Sequence, residues 1–239
     1  MKRYGASLLL LVLLHIISFS TLARDFYWIG GSGNFNDIQH WSDQPGGKVN
    51  SGALLPDKDD NVYFDQYSFP DPGATVTITN VARCANMHWG DVKNMPTLTT
   101  DSNEAHYLVI YGGVTFNNKM ILNLDRPLYF RASTIGNEID FGGNVFDGDL
   151  VFENNGGWRI TSEVDIIDND IYFNQGTLSI EADVNCGRFI SENSVSRELF
   201  LNSSNINLNK SGSSVISIQT GNLNITPGDS KISILSNNS

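Results

Sequence analysis

Leu150-Val151-Phe152-Glu153-Asn154-Asn155-Gly156-Gly157-Trp158-Arg159-Ile160 is the stretch on which the fold is read. Leu150 and Phe152 alternate across Val151, and Trp158 and Ile160 across Arg159. Between the two pairs lies a run of turn residues. Apolar residues two apart share one face of a strand. The unit therefore predicts two short strands bent around a polar corner. It recurs as Ile171 and Phe173 with Leu178 and Ile180 around Asn174-Gln175-Gly176. It recurs again as Leu199 and Leu201 with Ile206 and Leu208 around Asn202-Ser203-Ser204. A fourth copy sets Ile216 and Ile218 with Leu223 and Ile225 around Thr220-Gly221-Asn222. The starts at 150, 171, 199 and 216 give a period near 20 residues. Leu108-Ile110 and Leu128-Phe130 extend the series backward, and Ile232-Ile234 extends it forward.

A period of this length points to a solenoid, whose rungs stack like residue on like residue. Asn and Gly at the corners tolerate the left-handed backbone of a tight bend. The expectation is an all-β chain, a right-handed parallel β-helix. A β-sandwich of consecutive hairpins is the alternative. Composition agrees with either: 27 Asn and 22 Gly stand against nine Ala in 239 residues, which disfavours a helical bundle. A net charge of −11 leaves no basic stripe for a nucleic-acid partner.

Three regions follow. In residues 1–23, Lys2 and Arg3 precede an apolar run from Ser7 to Ile17, then Thr21-Leu22-Ala23. This is the pattern of a secretory signal cleaved after Ala23. The run is too short to span a bilayer, and no later stretch approaches that length. Secretion, to the cell surface or periplasm, is expected. Residues 24–72 are rich in Gly, Pro and aromatics, and 73–239 carry the repeats. The two cysteines align at an offset of 102: Thr75-Ile78 and Cys84 match Thr177-Ile180 and Cys186. That match predicts equivalent places in distant rungs, and hence two buried free thiols.

The aromatic region reads Tyr27-Trp28-Ile29-Gly30-Gly31-Ser32-Gly33-Asn34-Phe35, then His40-Trp41-Ser42, then Pro56-Asp57-Lys58-Asp59-Asp60-Asn61-Val62-Tyr63-Phe64-Asp65. It resembles the opening of secreted bacterial β-helix proteins, most nearly the large type IX secretion-associated surface proteins of gliding bacteria. It resembles autotransporter passengers more distantly. Cys84-Ala85-Asn86-Met87-His88-Trp89 and Asn185-Cys186-Gly187-Arg188-Phe189 share that likeness. Phe35 stands where the family pattern has Trp. The resemblance implies an exported β-helix with a surface role.

Physically, Trp28, Phe35 and Trp41 suit a cap over the first rung, which would otherwise expose its core and an unpaired edge. Alternatively, Trp28 and Trp41 are stacking candidates for a glycan. Asp57, Asp59 and Asp65 are weak calcium candidates, in a spacing that is not an EF-hand because Val62 replaces the required Gly. The Gly-rich loop lacks the Gly-Lys-Ser/Thr of a phosphate loop. Glu138, Asp140, Asp147, Asp149, Asp165, Asp168 and Asp170 form an acidic stretch. With Arg131, Arg159 or Arg188, it raises the alternative of a calcium-dependent β-helix polysaccharide lyase. No nucleophile motif surrounds His40, His88 or His106.

The expected function is therefore a non-enzymatic, surface-structural or adhesion-type solenoid without a cofactor. The alternative is a carbohydrate-binding module or lyase. Expected partners are a surface glycan or another chain paired through an open C-terminal edge.

Overall fold

The computed structural model describes residues 23–166, 168–210 and 214–235. All of the expected leader except Ala23 lies outside them. The chain winds as a three-sided β-solenoid of about eight turns. Side one stacks Asp25–Trp28, Asn61–Phe64, Met87–Trp89, Val114–Thr115, Asn137–Asp140, Gly157–Ile160, Gly176–Ile180, Arg197–Phe200 and Leu223–Thr226. Side two starts with Gly33–Asn34, Thr75–Ile78, Thr97–Thr100 and Ile121–Asn123. After one rung in which only Val145 bridges to Asp165, it resumes with Val164–Ile166, Val184–Cys186, Asn205–Leu208 and Lys231–Ile234. Side three stacks Ala82–Cys84, Leu108–Ile110, Leu128–Phe130, Leu150–Phe152, Ile171–Phe173, Phe189–Ser191 and Ile216–Ile218.

Among these strands every ladder but one is parallel, which excludes the hairpin sandwich. The exception pairs Trp41–Ser42 antiparallel with Asp25–Trp28. It covers the first edge of side one. Behind it Trp28, Phe35, Trp41 and Phe64 are buried. Trp28 and Trp41 meet edge to face at 5.1 Å, and Phe35 meets Trp41 at 5.0 Å. Both indole N–H groups donate inward, Trp28 to the Gly31 carbonyl and Trp41 to the Phe35 carbonyl, each at 2.8 Å. The aromatic block thus closes the first rung as a cap.

Inside, each strand turns alternate residues to the core. Register then stacks them in columns. Leu128, Leu150, Ile171, Phe189 and Ile216 form one column on side three. Val164, Val184, Ile206 and Ile232 form another on side two. Phe130 lies over Phe152 at 5.0 Å, and Phe64 over Trp89 at 4.0 Å. Each such side chain contributes about 1.5–3 kcal/mol by leaving water. The columns run out at the last described strands, where Ile225, Ile232 and Ile234 are exposed.

Two details of the sequence reading are corrected. A rung has three strands rather than two, so the recognised pairs are fragments of rungs. Leu199 begins a pair on side one, whereas Leu150, Ile171 and Ile216 begin pairs on side three. True spacing, read from register, is 20 and 21 residues from Trp158 through Leu178 to Leu199. It is 25 and 27 from Val62 through Met87 to Val114. Likewise the 102-residue match joins unlike places. Thr75–Ile78 lies on side two and Thr177–Ile180 on side one; Cys84 is on side three and Cys186 on side two. Alternation with period two is identical on all three sides, so it cannot say which side a strand occupies.

Both cysteines are buried free thiols. Burial pushes Cys84 far up, and burial reinforced by the Asp170 charge pushes Cys186 up to about 12. Neither thiol is therefore expected to react with a thiol-specific chromogenic reagent in the native protein. Both should react once the chain is denatured, and intact mass should show no bridge.

Candidate functional site

The solenoid's corners differ in length, and the corner from side three to side one bears the two adjoining polar depressions. Its connections are two residues long at Ala85-Asn86, three at Tyr111–Gly113, and six at 131–136. The next are four at 153–156, two at Asn174-Gln175, and five at 192–196. Long corners stand out as ribs and short ones lie between them as floor. Two adjoining depressions result. The first, about 410 Å³, lies between Lys58-Asp59 and the 131–136 rib. The second, about 540 Å³, runs from that rib to Asn193 over Glu153, Asn154, Asn174 and Gln175. Tyr111, Arg131 and Asn154 line both, so the two form one groove.

Each rib is pinned by the first residue of the strand that follows it. Asn137 donates its amide to the Thr134 carbonyl at 2.7 Å and to Gly157 at 2.9 Å. Arg197 does more. It is almost fully buried and faces no carboxylate. Its guanidinium donates to the Ser191 carbonyl and hydroxyl at 2.5 Å each, to Gln219 at 2.8 Å, to Gly221 at 3.1 Å and to Val195 at 3.2 Å. Burial lowers its pKa. These five acceptors tie the 192–196 rib to the next corner. The floor is tight as well. Gly176 has φ +88°, and a Cβ there would run into the Gly156 carbonyl.

Charge in the groove is locally balanced. Arg131 Nε donates to Glu153 at 2.7 Å, while its guanidinium lies 4.7 Å from the Tyr129 ring centre. Burial works to lower the Arg131 pKa, but the Glu153 bond and charge outweigh it and hold it above its ordinary value. Lys58 pairs with Asp59 at 2.6 Å.

The sequence candidates fall elsewhere or apart. Trp28 and Trp41 have no exposed face, so neither stacks on a glycan; both are spent on the cap. Asp57, Asp59 and Asp65 do not converge. Asp57 accepts from the Lys58 N–H, Asp59 binds the Lys58 ammonium, and Asp65 accepts from the Tyr67 N–H and the Ser68 hydroxyl. Their neighbour Asp60 is the buried one, and it holds Arg24 at 2.7 Å.

The acidic stretch does not share one face. Glu138 and Asp140 lie on side one, where Glu138 accepts from Thr161. Beside Glu138 in register, Arg159 is bidentate to Glu181. Asp147, Asp149, Asp168 and Asp170 lie at the corner from side two to side three, and Asp165 on side two. A rung of about 21 residues carries these two groups to different places.

At that second corner Asp170 is buried, bound by Arg188 at 2.5 Å and Lys210 at 3.3 Å. Burial would raise its pKa; Arg188 and Lys210 outweigh burial and hold it below the ordinary carboxylate value. Asp149 is raised by burial, with the Asp170 charge adding to it. The Asp170 oxygens are thus occupied by side-chain cations. Among the described residues no three His, Cys, Asp or Glu side chains group as metal ligands, and no helix is long and apolar enough to cross a membrane. No protein-family model, curated protein or solved structure matches the chain.

Sequence reasoning missed Asn137, Arg197 and Tyr111. The signal for Arg197 was present: it shares the alternation of Leu199 and Leu201, so a cation sits in an inward slot.

Two substitutions test these networks. Arg197→Met leaves five acceptors without their donor and should cost about 2–4 kcal/mol in urea unfolding. Asp170→Asn strands Arg188 and Lys210 and should cost about 2–3 kcal/mol at pH 7. Because the folded pKa of Asp170 is lowered, its stabilisation is complete above the ordinary value of 3.8. It is lost as pH falls through the lower folded value. The gap between Asp170→Asn and the parent should therefore close in strong acid, read by unfolding curves against pH.

Proposed function

We propose that this chain is an exported, non-enzymatic β-solenoid of surface-structural or adhesion type, a rigid rod that presents a binding groove along one corner. The observation that carries the reading is the groove itself. It crosses successive rungs of a single stacked core, so its lining is held in fixed register without a hinge. Its cations are already paired, and its remaining polar groups are amides, the Ser133 and Thr134 hydroxyls, a phenol and backbone. Such a lining suits recognition, since orientation in a binding site comes from a few placed polar groups on a rigid base. The Lys2-Arg3 leader with its Thr21-Leu22-Ala23 junction supports export. The likeness of the Tyr27–Trp41 block to bacterial surface β-helices supports the same destination.

The test is location and attachment. The mature protein should begin at Arg24 by N-terminal sequencing. An epitope-tagged copy should be reached by protease added to intact cells or recovered from periplasm or medium, and its deletion should reduce adhesion. A tagged chain that retains Met1–Ala23 in the cytosol would overturn the proposal.

A further inference from the structure

We infer that the groove binds an extended neutral polysaccharide, with the Tyr111 ring as its platform and the amides of Asn154, Asn174 and Gln175 as hydroxyl partners. This rests on the binding-rod reading above and names its ligand class.

Shape comes first. The groove runs from the Lys58 corner to the Asn193 corner, six rung steps apart. At the parallel-strand spacing this is about 29 Å, the footprint of an extended chain rather than a compact metabolite. Tyr111 stands at the junction of both depressions and is half-buried. An aromatic ring there offers an apolar face with a polar tip.

Charge then selects the polymer. Lys58 is paired with Asp59, Arg131 with Glu153, and the chain carries −11 overall. A polyanion finds no free positive charge in the groove and is repelled by the whole molecule. A neutral polyol needs donors and acceptors side by side, which an amide provides in one group.

Availability narrows the partners. Asn86 and Asn137 are used up in holding the corner: Asn86 donates to Asn61 and accepts from the Gly113 N–H. By contrast the side chains of Asn174 and Tyr111 make no hydrogen bond to the described residues. Asn154 donates to the Arg131 carbonyl at 3.3 Å, and its oxygen is uncommitted. Gln175 donates to Asn155, and its oxygen is likewise uncommitted. Asn154 is held at φ +75° by the turn, so its amide is placed by backbone geometry.

A peptide fits less well. Strand addition needs an unpaired edge. The strands flanking the groove are paired with the rung on either side. Nor does the groove contain apolar pockets for alternate side chains.

The test uses purified mature protein in affinity electrophoresis and titration calorimetry. The probes are soluble β-glucan, mannan, xylan and galactan, with polygalacturonate, heparin and a random extended peptide pool alongside. At least one neutral polymer should be retained, independently of calcium. Tyr111→Ala and Asn174→Ala should each weaken that binding by about tenfold or more, with unchanged melting temperature. Tyr67→Ala, an exposed tyrosine outside the groove, should leave it intact. Retention of none of the neutral polymers overturns the inference, as does retention of only the acidic ones or only the peptides. Neutral binding that both groove variants leave unchanged overturns it too. These readings need no cells, so they fail or stand separately from the location experiment.

Discussion

The parallel backbone ladder is the constraint on which everything else depends. A strand on one side can satisfy its N–H and C=O groups only from the strands one rung before and after it. That requirement fixes the stacking direction and forces like positions to lie over like. The columns from Leu128 to Ile216 and from Val164 to Ile232 follow from it. The core is then a set of continuous apolar rows, and each rung leans on its neighbours more than on itself. The same requirement creates the problem at the first rung, where the ladder has no predecessor. Trp41–Ser42, laid antiparallel, supplies the missing partner on side one, and the four-ring aromatic cluster supplies the missing apolar surface.

The ladder also explains why the corners are free to vary. Nothing in the pairing of strands depends on how many residues join them, provided each re-enters register. Corners from two to six residues long therefore follow one another along one edge of the prism. Relief on that edge is a matter of loop length, and its rigidity comes from the strands beneath. Long corners still need their backbone groups satisfied. Asn137 and Arg197 do this from the same location, the entrance to the next strand. The buried guanidinium is the more costly solution, tolerable because five oxygens surround it.

Much of the fold was legible. Alternation at Leu150-Phe152 and Trp158-Ile160 named strands, and its recurrence named a solenoid. Trp28, Phe35 and Trp41 were legible as a cap because an end without a predecessor must be covered. The third strand of each rung was not. Val164–Ile166 and Val184–Cys186 are no shorter than Leu150–Phe152, but their alternation is set among Glu163, Asp165, Asp168, Asp183 and Asn185, polar surroundings that read as corner. The groove was less legible still. Its floor combines Tyr111 with Asn174, 63 positions apart, and no local pattern relates them. The acidic stretch misled for a related reason. Neighbours in sequence such as Asp140 and Asp147 lie on different parts of a rung, while Asp170 meets Arg188 and Lys210 across one and two rungs.

What the sequence by itself determined was repetition, polarity and the chemistry of the two kinds of position: apolar residues that must stack, and Asn or Gly that must bend. These are short-range facts, set by alternation along a strand and by the backbone freedom of single residues. Which side each strand occupies, which carboxylate meets which cation, and which corners stand out as ribs were decided only by the tertiary structure. Those depend on how many residues separate successive entries into register, and every separation is consistent with the same local pattern.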